Sequence, residues 1–160
     1  MKTRTAISLV LGVVCVSALA VASTKAVELN PAAVVAKTPD QIPWGPLDPR
    51  GIQNAVLMGD PDKPGPYIVM SKWTKGNHFS HPHSHPHDRF ITVLSGTWYV
   101  GSGNKFDPEN GTVAMKPGSF VKHFGNQVHW DGAKDEDAVI LIVGEGPATS
   151  TPAPPPEEKK

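Results

Sequence analysis

Short runs of β-branched and aromatic residues, each interrupted within a few positions by glycine, proline or asparagine, fill the middle of this chain. The rhythm predicts strands at residues 67–70, 90–94, 97–100, 112–115, 119–121 and 138–143. The turns between them are carried by Pro64-Gly65, Ser95-Gly96, residues 101–104, Asn110-Gly111, Pro117-Gly118 and Asp131-Gly132, residue types that supply fixed or positive φ. No stretch of helical length shows a 3.6-residue period. An all-β sandwich or barrel is therefore expected. Residues 138–143 are six apolar residues in succession, which predicts a strand buried on both faces near the middle of the core.

The two ends break this pattern. Lys2 and Arg4 precede an apolar stretch at 6–16 and then the small residues Ala18, Ala20 and Ala22, the three-part layout of a secretory signal peptide over 1–22. The apolar stretch is too short for a stable membrane span. Val14 before Cys15 argues against lipid attachment, where a small residue is wanted. The mature chain is thus expected to be exported, periplasmic or secreted, with no stable membrane insertion after signal cleavage. Residues 23–50, punctuated by Pro43, Pro46 and Pro49, read as an extended arm, and 51–146 as the β-barrel. Residues 147–160 form a polar, Pro-rich tail that is expected to be disordered.

Composition narrows the chemistry. Cys15 is the only cysteine and leaves with the signal, so disulfides, thiolate metal ligands and a cysteine nucleophile are excluded from the mature chain. Lys2 and Arg4 leave too, so the 15 basic residues fall to 13 against 15 acidic ones. A balance near −2 offers nucleic acid no electrostatic partner. Any metal must be held by nitrogen or oxygen.

Histidine supplies the strongest signal. Five of the seven histidines lie between His78 and His87, and His81, His83, His85 and His87 recur at every second position. Along an extended strand that spacing puts the side chains on one face, where two imidazoles can converge on one ion. Neutral imidazole suits Zn, Cu, Fe and Ni. Clustering alone also fits a surface His-rich tract without a built site.

The spacing around the cluster resembles the first motif of the cupin family. His83-Ser84-His85 is followed after three residues by Arg89 and after six more by Gly96, where the family has His-x-His, glutamate and glycine. Downstream, Gly118, five residues, Phe124 and then His129 resemble the second motif, in which Pro-x-Gly precedes a metal-binding histidine. The resemblance spans about half of the chain, 67–143. It implies a jelly-roll (double-stranded β-helix) barrel with a divalent metal ion (Zn, Cu, Fe, Mn or Ni) on His83, His85 and His129. Departures accompany it. Arg89 stands at the glutamate ligand position, Phe124 and Asn126 replace proline and glycine, Ala133 replaces a frequent asparagine, and Gly76 is one residue further from His83 than usual.

Arg89 has three readings: an inward candidate anion anchor, a residue turned outward or paired with Asp88, or the mark of a lost metal site. Asp88 and His87 are alternative fourth ligands. His78, His81 and His123 read as surface or hydrogen-bonded histidines, Trp98, Tyr99, Phe120 and Trp130 as core filling beside the cavity, and Gln127 as a loop residue. Two functions compete. One is a small metalloenzyme of dioxygenase, isomerase or lyase type acting on a small oxygenated or anionic molecule. The other is a non-catalytic cupin that binds a metal or small molecule for sensing, storage or scavenging. A homodimer is expected, with the arm crossing to a neighbour's edge strand.

Overall fold

The computed structural model describes residues 27–156; the signal expected at 1–22 lies outside them. The backbone divides into two compact units, Met1–Ala36 and Lys37–Lys160. The described part of the first is a single turn in which the Asn30 carbonyl accepts the Ala33 and Val34 N–H groups.

The second unit starts with one 3-10 turn, Pro39–Gln41, and then consists of eleven strands. These are β1 (Ile52–Met58), β2 (Gly65–Trp73), β3 (His78–Phe79), β4 (His83–Ser84), β5 (Arg89–Ser95), β6 (Trp98–Ser102), β7 (Val113–Met115), β8 (Phe120–His123), β9 (His129–Ala133), β10 (Ala138–Gly146) and β11 (Thr151–Pro152). They build two sheets, ordered β1-β2-β10-β5-β8 and β11-β4-β9-β6-β7, with β3 also on β9; every pairing is antiparallel. Ile91, Val93, Trp98, Ile140 and Ile142 form the heart of the core between the sheets.

Three expectations need correction. The strand at 138–143 does run centrally, between β2 and β5, but it is not buried on both faces. Ile140 and Ile142 face the core, whereas Val143 is 39% exposed, because the outer face of this sheet carries no covering layer among the described residues. Asp131-Gly132 is not a turn but lies within β9. Glycine is required there by close approach: a Cβ on Gly132 would fall 2.2 Å from the His78 carbonyl oxygen of the paired strand. The tail beyond Pro147 is ordered where it is described. Thr151 and Pro152 pair with Ser84 and His83, Ala148 donates to the Pro61 carbonyl at 2.6 Å, and Ala153 donates to the Pro82 carbonyl at 2.9 Å. Backbone pairing on a sheet edge needs no apolar side chains, so composition alone misjudged this segment.

Candidate metal centre

Of the seven crossings that the described strands make between the two sheets, two carry the candidate site. The first runs from β4 to β5 and carries His83, His85 and Arg89; the second runs from β8 to β9 and carries His123 and His129. Register completes the arrangement. His83 lies directly opposite His129 in one sheet, and Arg89 directly opposite His123 in the other.

His83, His85 and His129 are brought together, with ring centroids 4.9, 4.6 and 5.4 Å apart and one ligand atom of each within 4.8 Å of the others. Each ring is fixed by a backbone carbonyl. His83 Nδ1 donates to His81 at 2.8 Å, His85 Nδ1 to Thr149 at 2.9 Å, and His129 Nδ1 to Gln127 at 3.1 Å. A carbonyl oxygen only accepts, so all three Nδ1 atoms carry hydrogen and all three Nε2 atoms present lone pairs. His83 Nε2 and His85 Nε2 face each other at 3.1 Å. Lone pairs this close repel unless a cation lies between them. A carbonyl holding the opposite ring nitrogen is also the support that metal-binding histidines ordinarily have.

Burial keeps the His85 and His129 rings neutral. It lowers His85 to about 3, helped by the Arg89 charge, and His129 to about 4, helped by His83. Neutral imidazole is the form that binds a metal. The donor set therefore fits a divalent first-row ion, and at a metal–nitrogen length of about 2 Å only small side-chain rotations are needed to close the rings on it.

Arg89 points inward. Its Nη1 contacts His85 Nε2, and its Nε is buried without a partner among the described residues. Asp88 is turned away, bound to Lys122 Nζ at 2.6 Å and to the Gly125 N–H at 2.8 Å, and His87 is exposed. Neither is placed as a fourth ligand. Pro82 and Pro86 end β4 on both sides, which is why the every-second-residue pattern does not extend to His81 and His87. His81 packs on Phe106 with centroids 4.8 Å apart, and Gln127 serves through its carbonyl rather than its side chain. Trp98 and Trp130 are buried, but Phe120 is 65% exposed and lies on the outer face, away from the cavity.

Two further residues belong to the same cluster: His123, which is neither a surface nor a hydrogen-bonded histidine as the sequence suggested, and Asp131, which the sequence did not single out. His123 is buried with its ring centroid 3.7 Å from that of His129, and burial together with His129 lowers it to about 2. Asp131, two residues beyond His129 and on the same face of β9, is buried, and desolvation raises its carboxyl above the ordinary range. Its Oδ1 lies 3.4 Å from the Ser80 hydroxyl, which accepts the Asp131 N–H at 3.0 Å. Strand parity would have placed Asp131 beside His129, had β9 been recognised as a strand.

A cavity of about 600 Å³ opens onto this centre. His83, His85, Arg89 and Asp131 form its polar end, and Tyr67, Val69, Trp73, Ile140 and Ile142 line its apolar wall. Its size is that of sites for small organic molecules.

No family model and no curated protein matches the chain. Solved structures do. KdgF from Halomonas sp. is similar over 68% of this chain and 91% of its own length, at 23% identity and a TM-score of 0.53. An RmlC-like cupin from Shewanella frigidimarina aligns with 68% of this chain and 87% of its own, at 13% identity and a TM-score of 0.54. The fold is that of the cupins. A cupin-2 domain from Rhodospirillum rubrum aligns as well, with 75% and 74% coverage, 17% identity and a TM-score of 0.52. At these identities the likeness is one of fold, and within this cupin barrel the buried histidine and aspartate groups are able to hold a metal ion.

Proposed function

We propose that this protein is an exported metal-binding cupin, with a divalent ion on His83, His85 and His129 and a small oxygenated or anionic molecule in the adjoining cavity. The observation that carries this reading is the convergence of three Nε2 lone pairs, each ring locked by a backbone carbonyl, beside a 600 Å³ cavity that His83 and His85 line. An ion held there would supply Lewis-acid polarisation to a ligand carbonyl or carboxylate. Arg89 contributes the second half of recognition. Its guanidinium, already inside the site, binds an anionic group through its planar fork of donors, and that anion relieves the repulsion between the guanidinium and the metal charge. The apolar wall takes the remainder of the ligand and excludes water.

The open cavity beside the centre favours an enzyme over a sealed structural site. Solved structures with a similar fold include that of the DMSP lyases RdDddP and RnDddQII, with 71% of this chain and 63% of that chain covered at 15% identity and a TM-score of 0.54. A lyase or isomerase acting on a small oxygenated acid accords with a Lewis acid and an anion anchor at one end of the cavity. Export places metal uptake outside the cytoplasm, where raw affinity favours zinc or copper. We read the protein as a homodimer that buries the outer face of the five-stranded sheet, where Phe90, Leu94, Phe120 and Val143 are exposed.

The test is bound metal per chain in mature protein from its native compartment. About one zinc or copper ion is expected, and none in a His83→Ala, His129→Ala double variant that keeps its β-sheet circular dichroism. Metal-free wild-type protein that takes up no added ion would overturn the assignment, and stoichiometric iron or manganese would overturn the choice of metal.

A further inference from the structure

His123 is the residue that the three-histidine centre leaves unexplained. It is buried, and both of its ring nitrogens are without a partner among the described residues; Trp73, Trp98 and Trp130 each leave only an indole N–H. A neutral imidazole has one donor and one acceptor, and leaving each unmet costs about 1–3 kcal/mol. An apolar residue would fill the same space without that cost. Asp131 is also buried, with a single long contact of 3.4 Å from Ser80 to its carboxylate. One ligand atom from each of His123, His129 and Asp131 lies within 4.8 Å of the others.

We propose that His123, His129 and Asp131 form a second cation-binding position in the barrel, adjoining the His83–His85–His129 position and sharing His129 with it. Two imidazoles and a carboxylate suit a divalent first-row ion such as Zn²⁺, Fe²⁺ or Mn²⁺. Two differences make this set a competitor of the first. Asp131 brings a negative charge, so the net charge left on the centre is halved relative to three neutral imidazoles. The guanidinium of Arg89 engages His85 Nε2 and so competes for the first position, whereas it contacts no ligand atom of the second. A smaller cavity of about 170 Å³ borders His123 and His129, neither of which lines the main cavity.

The two positions exclude each other. Gln127 holds His129 Nδ1, so a single lone pair, on Nε2, serves both. Binding is therefore limited to one ion per chain, taken by either set. The carboxylate that the first motif lacks at Arg89 is supplied in the second set by Asp131.

This inference rests on the reading of the barrel centre as a metal site, and variants separate the two. Full-length mature protein, stripped of metal, is titrated with Co²⁺ and followed by visible absorption and calorimetry, with circular dichroism as the check on folding. Wild type should bind one Co²⁺. His85→Ala should still bind one, within about tenfold of wild-type affinity, whereas His85→Ala combined with His123→Leu should weaken binding by about 100-fold or more. Asp131→Asn in the His85→Ala background gives the same loss without altering side-chain volume, which covers the case in which His123→Leu fails to fold. The Co²⁺ bands of His85→Ala and His123→Leu should differ, since one ligand set contains a carboxylate and the other does not. If folded His85→Ala binds no Co²⁺, the second position is refuted and the first stands. If folded wild type binds none, both fall.

Discussion

The tautomers of His83, His85 and His129 follow from backbone carbonyls that a side-chain inventory does not contain. Because burial holds His85 at about 3, His129 at about 4 and His123 at about 2, all three rings stay neutral in the folded protein while the same residues in the unfolded chain take up protons near 6.5. The unfolded state then binds more protons below about pH 6.5, so stability present above that pH is lost as the pH falls towards 4. Asp131, with its carboxyl raised by burial, acts in the opposite sense and offsets part of the loss. Metal-free protein should therefore show a Tm that drops between pH 6.5 and 4, with a slope of at most about 1.4 kcal/mol per pH unit for each histidine. The His123→Leu variant should flatten that slope; an unchanged slope would show that His123 does not stay neutral. Arg89 yields a second expectation at this scale. Arg89→Gln removes a cation beside His85, so Zn²⁺ should bind about tenfold more tightly while affinity for small carboxylates falls by a similar factor. Calorimetry reads both.

At the scale of elements, the C-terminal segment contributes to the site as much as any strand of the barrel. It supplies the Thr149 carbonyl that sets the His85 tautomer, and β11 covers the edge of β4, which holds His83. A chain ending at Gly146 should fold but lose up to about tenfold in metal affinity, as measured by competition with a chelating dye. β9 is equally informative. His129, Trp130, Asp131, Gly132 and Ala133 do not read as a strand because the polar residues face the cavity while Trp130 packs against Phe79 and Phe106 on the other face, with centroids 6.1 and 5.1 Å away. Opposite Trp130 lies Gly101, where a Cβ would fall 2.3 Å from the indole. Gly101→Ala should therefore cost about 1–3 kcal/mol in chemical denaturation, since the indole is hemmed in and cannot retreat freely.

For the whole molecule, the outer face of the five-stranded sheet is the feature a single chain leaves open. Phe90 and Val143 are register partners on adjacent strands, and with Leu94 and Phe120 they present exposed apolar groups around Thr92, with Lys122 beside Phe90. Sedimentation at micromolar concentration should show a dimer, and Leu94→Lys with Val143→Lys should convert it to monomers with the barrel intact. A monomeric wild type would remove the homodimer.

The strand-and-turn rhythm and the two histidine motifs are local in the chain, and on their own they indicated the barrel and the three histidines that the fold brings together. What they could not determine is anything set by partners distant in sequence. The inward turn of Arg89, the burial of His123 opposite it, the place of Asp131 beside His129 and the Thr149 carbonyl on His85 all depend on which strands become neighbours. Register decides that, and a one-residue slip would turn each of these side chains to the opposite face.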